Sequence, residues 1–314
     1  MMGLSGYPSG APPMPPGPDT TTHVIAGMAL GFGASVSWAL ANVAVQRAGR
    51  AVGSVRALLW AQVAGAAMVA LAAPLFDGPI GHLAAADWGW LAFAGVGALA
   101  AYLLMFYAFQ HGRLTVAVPI MSSWSVLSAA LSVLLFGERL GARQLAGAAT
   151  VIAGAIVVSR HAQSDTGPDA AGGTSRGAPR WLLAAAGAAA GFGVLVPVMG
   201  RLAPVLGSVR IVGAVYLVDL ALGLPIALAY RVPLGPPAGA AWLPVILAGL
   251  FETAGFAFIT IGARFAPLAI VSPFASLAAA LTVGFAWAFL GERPGRGILV
   301  GAALVCAGVV VLAL

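Results

Sequence analysis

The second half of the chain repeats the first. Gly-Ser-Val-Arg at 53–56 recurs at 207–210, a shift of 154 residues. The same shift carries Trp88 onto Trp242, Gly95 onto Gly249, Pro119 onto Pro273, Ser122 onto Ser276 and Ser128 onto Thr282. Gly137-Glu138-Arg139 falls on Gly291-Glu292-Arg293, and Gly147 and Gly154 fall on Gly301 and Gly308. Nearer the start of each copy the shift is 160, which places Gly27, Gly31, Phe32 and Gly33 on Gly187, Gly191, Phe192 and Gly193. A six-residue deletion in the second copy, between its first and second apolar runs, reconciles the two shifts. Repeated Ala, Gly or Leu would mean little in this chain; repeated Trp, Pro, Glu and Arg at one shift mark a duplication.

Each copy holds five apolar runs of about the ~20 residues that a bilayer crossing requires. They lie at 24–46, 55–76, 88–110, 114–136 and 140–159, and at 182–204, 209–230, 241–262, 267–290 and 296–314. Five is odd, so the second copy enters the membrane in the opposite sense to the first. Two such halves form inverted repeats about an axis in the membrane plane, an architecture of secondary transporters whose substrate site lies near the midplane between the halves.

Composition agrees. Of 314 residues, 61% are hydrophobic and 8% charged, and the mean hydropathy is +1.00. A water-facing surface cannot be built from so few charges, which excludes a soluble globular domain and a disordered chain. Barrel strands alternate polar and apolar residues over about ten positions; these runs are twice as long and apolar on every face. The reading is an all-α membrane protein, multi-pass in the cell membrane, with ten transmembrane helices as two inverted five-helix repeats. The expected divisions are a disordered Pro/Gly-rich tail at 1–22, a first repeat at 23–159, a linker at 160–181 and a second repeat at 182–314.

All 15 basic residues are arginine, and the net charge is +6. The arginines are scattered between apolar runs as interfacial anchors, whereas a nucleic-acid surface would cluster them on one face. Ten of them lie in the odd-numbered connections and five in the even-numbered ones. The positive-inside rule therefore puts both termini outside. The single cysteine, Cys306, lies in an apolar run and cannot form an internal disulfide.

Specific residues add a resemblance. Ala-Val-Pro at 117–119 opens the fourth run, and Phe-Gly-Glu-Arg-Leu at 136–140 closes it. The second copy reads Val-Ser-Pro at 271–273 and Leu-Gly-Glu-Arg-Pro at 290–294. This resembles the paired EamA-type repeats of the drug/metabolite transporter superfamily, over nearly the whole chain after the tail. The resemblance implies a ten-helix carrier that moves a small metabolite by alternating access, with amino acids or related compounds and export as the common cargo and direction. It also implies that spans one, three, four, six, eight and nine face the cavity, and that both termini lie inside, against the arginine count.

Two carboxylates fall deep in apolar runs: Asp219 near the middle of span seven and Glu252 near the middle of span eight. A charge at such a depth costs roughly 2.5–3.5 kcal/mol even on insertion scales, so these acids face a cavity or a partner. They suit proton coupling or capture of a cationic or amino group. Their first-copy counterparts are Gly65 and Ala98, so the acids are not part of the repeated scaffold. On the spans that the resemblance turns inward lie Trp38, Asn42, Tyr102, Trp124, Ser122 and Ser276, with Tyr107, Ser125, Thr253 and Ser272 beside them. Asn42 must find a hydrogen bond inside the membrane. For the serines, a bond to their own helix backbone competes with a substrate role.

Pro119, Pro197 and Pro273 lie inside spans, and each frees a backbone carbonyl. Glu138 and Glu292, after Gly137 and Gly291, precede the fifth helix of each copy, where an acid suits the positive end of the helix dipole and can cap free N–H groups. No catalytic constellation, metal-ligand spacing or cofactor motif is present. There is no lysine for a nucleotide-binding loop, and the histidines lie at span ends, in loops or in the tail. The expected partners are a small-molecule substrate, the lipid bilayer and protons, with the chain a monomer or homodimer. The rival classes are a non-transporting scaffold or sensor and an intramembrane enzyme.

Overall fold

The structure, a computed structural model, describes residues 20–136, 141–165, 179–266, 271, 274–275 and 277–313. All regular structure among them is helical. In the first half α1 spans Thr20–Val52, α2 Ser54–Phe76, α3 Ala85–His111, α4 Leu114–Met121, α5 Trp124–Phe136 and α6 Ala142–Asp165. In the second half α7 spans Arg180–Leu206, α8 Arg210–Ala229, α9 Trp242–Phe265, α10 Ala278–Leu290 and α11 Arg296–Ala313. Seven of these are long and apolar enough to cross a membrane, and three further apolar helices are shorter. With α4 and α5 as two parts of one passage, the described helices make the ten expected passages. Leu71, Leu75 and Leu134 on the outer surface are 78%, 75% and 77% exposed. A surface so apolar has hydrocarbon, not water, as its solvent.

The helices run past the expected boundaries at three places. The last three residues of the expected tail already belong to α1, which also continues to Val52, six residues beyond its apolar run. The expected linker is helical at both ends, because α6 extends to Asp165 and α7 begins at Arg180. Hydropathy marks only the part of a helix inside hydrocarbon; the polar turns beyond it carry Arg, Gln and Ala, which hold a helix well. Of the tail, residues 1–19 lie outside the described residues, as do 166–178 of the linker.

The packing obeys the two-fold relation read from the repeat. The most extensive cross-repeat contacts are α1 with α9, α6 with α11 and α3 with α7, and the first and last of these form a pair. The repeat maps α1 onto α7 and α3 onto α9, so that pair is one interface seen twice. The α6–α11 contact lies on the symmetry axis and maps onto itself. A Cβ at Gly147 would fall 2.9 Å from the carbonyl oxygen of Gly308, and one at Gly154 would fall 2.7 Å from that of Gly301. Gly147 maps onto Gly301 and Gly154 onto Gly308, so the two contacts exchange under the two-fold, with the helices antiparallel. Backbones this close admit no side chain at the crossing. Gly27 and Gly31 likewise face Val271, and Gly191 faces Ala101, as packing glycines should.

The repeated Gly-Ser-Val-Arg adopts the same backbone twice. Gly53 has φ 85° and ψ 153°, and Gly207 has φ 97° and ψ 149°. Positive φ at both suits glycine and lets consecutive helices reverse with almost no loop.

Candidate functional site

The fourth span is broken at its middle. α4 ends at Met121, Ser122 and Ser123 form a turn, and α5 begins at Trp124. Here the ladder changes to three-residue spacing, with Ser123 N–H on the Ile120 carbonyl (3.1 Å) and Val126 N–H on that of Ser123 (3.1 Å). The hydroxyls of Ser122, Ser123 and Ser125 donate to the carbonyls of Val118 (3.0 Å), Ile120 (2.7 Å) and Ser122 (3.0 Å). The same three carbonyls also accept the backbone amides of Ser122, Ser123 and Ser125, so the hydroxyls add second bonds to acceptors already paired. Leu277, a turn residue just before α10, occupies the position that the repeat shift assigns to Ser123. Pro119 lies inside α4, three residues before the break. Pro197 is buried in α7, which continues through it.

Beside this break lies a cavity of about 300 Å³. Helices α1, α3, α4, α7, α9 and α10, with the start of α5, line it, so spans one, three, four, six, eight and nine enclose it and both repeats contribute. Six of the residues singled out in the sequence converge there: Trp38, Asn42, Tyr102, Ser122, Trp124 and Glu252. The Tyr102 hydroxyl donates to Glu252 Oε1 at 3.4 Å. Asn42 has the hydrogen bond that its depth demands, donating through Nδ2 to Thr282 Oγ1 at 3.0 Å, across the two repeats. Trp38 meets Phe256 edge-on at 5.4 Å between ring centroids, and Tyr102 meets Phe192 at 5.0 Å.

Asp219 is placed differently. It is fully buried and lies outside the cavity lining. Its carboxylate accepts a hydrogen bond from Gln62 Nε2 at 2.5 Å. Gln62, with Tyr102, Tyr216 and Glu252, lines a second cavity of only about 20 Å³. Gln62 thus stands between the two intramembrane acids. Tyr107 stacks on His111 at 4.2 Å and does not line the large cavity. Ser125 bonds its own helix, and Thr253 is buried, donating to the Gly249 carbonyl at 2.8 Å. Ser276, Ser272 and Pro273 lie outside the described residues, as do Gly137 and Glu138.

Glu292 caps a helix, but not the one that follows it in sequence. Gly291 ends α10 in the left-handed region at φ 68°. The Glu292 N–H then returns to the Ala286 carbonyl at 3.2 Å, a Schellman closure. This turn directs the Glu292 carboxylate to the start of α4 in the other repeat. It accepts the amides of Leu114 (3.0 Å) and Thr115 (2.9 Å), and Gln46 Nε2 at 3.2 Å. α4 has no side-chain cap of its own at Arg113. Arg47 donates to the Phe289 carbonyl (2.8 Å) and Arg113 to that of Arg293 (2.8 Å), so one end of the cavity is tied by bonds between repeats.

Several lining residues carry no sequence signal: Phe256, Met105, Met121 and Met199; Phe192 stands out only as the repeat partner of Phe32. Gly255, outside the lining, also carries no sequence signal and matters to the cavity wall. A Cβ there would lie 2.7 Å from Cδ1 of the Trp38 indole, so glycine is what lets that ring lie against α9. Among the described residues no group of three or more His, Cys, Asp or Glu could hold a metal ion.

Two inverted helical halves around a membrane-buried cavity that both of them line define a multi-pass membrane transporter of the drug/metabolite transporter type. The chain matches the EamA-like transporter family over residues 25–160 and again over 179–314, and it belongs to that family. Membership points to a transporter rather than an enzyme. A solved crystal structure shares the fold, with 22% identity and a TM-score of 0.62, covering 91% of this chain and 96% of its own. No match is found among curated protein sequences.

Proposed function

We propose that this protein carries a small organic metabolite across the cell membrane by alternating access, with the cavity of about 300 Å³ as its substrate site. One observation carries the reading: Glu252, an acid with no counterpart in the first repeat, joins Trp38, Asn42, Tyr102, Ser122 and Trp124 around one cavity between the halves. An intramembrane carboxylate in such a position is a proton or substrate site by default. Amino acids and related compounds are the cargo class that the family suggests, and export the direction. The repeats at 23–159 and 182–314, joined through 160–181, rock against each other around the cavity. Glu252 takes up a proton or the charged group of the substrate, and Asp219, held by Gln62, supports the site from behind. Gly137, Glu138, Gly291, Glu292, Pro119 and Pro273 shape the ends and the bends of the spans.

The test is proton flux into proteoliposomes loaded with a pH-sensitive dye and challenged with amino acids, amines and sugars. A substrate-evoked pH change that disappears in Glu252→Gln supports a proton-coupled carrier. Substrate movement without a pH change, unaltered in Glu252→Gln, removes Glu252 from the mechanism. A chain that moves no member of the panel contradicts the carrier reading itself.

A further inference from the structure

We infer that the cavity selects compact organic cations with an apolar or aromatic body and discriminates against molecules that carry a carboxylate, free amino acids included. The inference rests on the reading of this cavity as the substrate site.

The charge inventory comes first. Among the described residues the lining contains one carboxylate, Glu252, and no arginine, lysine or histidine. A zwitterion placed there would find a partner for its ammonium group and none for its carboxylate. That carboxylate would enter a low-dielectric space already holding an acid, and an unpaired charge in such a place is a strong rejecting element.

Neutral donors could relieve that charge only if they were free. The Tyr102 hydroxyl is engaged with Glu252 and the Asn42 amide with Thr282. The Ser122 hydroxyl is held by the Val118 carbonyl. A half-helix N-terminus is the usual device for a substrate carboxylate in a broken-helix transporter. At the α4–α5 break, however, the amides of Ser123, Ser125 and Val126 already donate to Ile120, Ser122 and Ser123. Among the described residues, the remaining lining donors are the second amide hydrogen of Asn42, the backbone N–H of Trp124 and the indole N–H groups of Trp38 and Trp124, and all are neutral.

The aromatic groups point the same way. Trp38, Tyr102, Trp124, Phe192 and Phe256 surround the space in front of Glu252. Aromatic faces attract a cation through the ring quadrupole, most strongly when water is excluded, and they pack on an apolar body. The volume, about 300 Å³, is at the small end of ligand cavities. Carboxylate, aromatic wall and size together fit a primary or quaternary amine on a single ring system.

Three compounds on one indole body test this with the intact protein in proteoliposomes: tryptamine, tryptophan and indole-3-propionate. Binding is read by calorimetry and movement by radiolabel. The expected result is a Kd for tryptamine at least tenfold below that for tryptophan, with indole-3-propionate weakest. The preference should collapse in Glu252→Gln and return in part in Glu252→Asp. The wild-type series needs no variant, so it stands even if Glu252→Gln does not fold. Tryptophan bound and moved as well as tryptamine overturns the selectivity and leaves the carrier reading intact. No binding of any of the three overturns the inference, and the wider panel of the proton-flux experiment then decides the carrier reading separately.

Discussion

The Glu292 carboxylate accepts the Thr115 amide at 2.9 Å, so an acid of the second repeat closes the N-terminus of a helix in the first. Leu114 and Thr115 are themselves fully buried. Removing the carboxylate orphans two amide donors in a place that water does not easily reach. Glu292→Ala should therefore cost about 1–3 kcal/mol, the penalty for buried unpaired donors. Glu292→Gln, which keeps an acceptor oxygen, should cost less than half of that. Thermal unfolding in detergent gives the order, and hydrogen exchange should show faster exchange at the Leu114 and Thr115 amides first.

Gly255 makes room for the Trp38 ring. Gly255→Ala places a methyl group against the indole and forces the ring out of the cavity wall, an overpacking cost of about 1–3 kcal/mol. The expected outcome is a KM raised roughly tenfold, as ~1.4 kcal/mol lost from binding would give, with little change in expression. An unaltered KM would show that Trp38 does not touch the cargo.

Gln62 and Asp219 form a pair 157 residues apart in sequence. Breaking it from either side gives different results. Gln62→Leu leaves a buried carboxyl without its donor, a loss of about 1–3 kcal/mol. Asp219→Asn keeps an acceptor for Gln62 and should be tolerated within about 1 kcal/mol. Transport should survive Asp219→Asn far better than Glu252→Gln, because only Glu252 lines the large cavity. Equal loss in both variants would place the two acids on one proton path.

The α6–α11 crossing lies away from the cavity. Gly154→Leu would drive a side chain into the Gly301 backbone. Expression and melting temperature should fall sharply, by more than about 3 kcal/mol of stability since backbone and not side chain must yield. The fraction that folds should keep its KM, which a residue of the site would not allow.

Much of this architecture was legible from the residues because the membrane imposes it. Span length follows from bilayer thickness, and the glycine pairs at Gly147, Gly154, Gly301 and Gly308 follow from what close helices permit. The parity of five then sets the inverted pairing. The break at Ser122–Ser123 carried no such signal. Pro119, one of the three prolines read inside spans, stays within α4, and the interruption follows three residues later, where serine hydroxyls add to the amides on the same carbonyls. Phe256 was equally silent, and Phe192 showed only as the repeat partner of Phe32. In a membrane helix the lipid-facing and cavity-facing sides are both apolar, so periodicity does not separate them. The need of Asn42 and Asp219 for partners was readable from their depth, but Thr282 and Gln62 could be named only from the fold. Glu292 was readable as a cap; that its helix belongs to the other repeat depends on two connections meeting in space.

The glycine crossing between α6 and α11 carries a consequence for assembly. Gly147 faces Gly308 and Gly154 faces Gly301, and these positions are equivalents of one another. A surface that binds its own copy in this way is isologous, the kind of contact that closes a two-fold dimer and then has no free end. The chain is therefore a covalently joined dimer in its geometry. Cut between 166 and 178, two co-expressed halves should find each other through this seam, whereas a half alone meets a second copy of itself there only where the two copies insert in opposite senses.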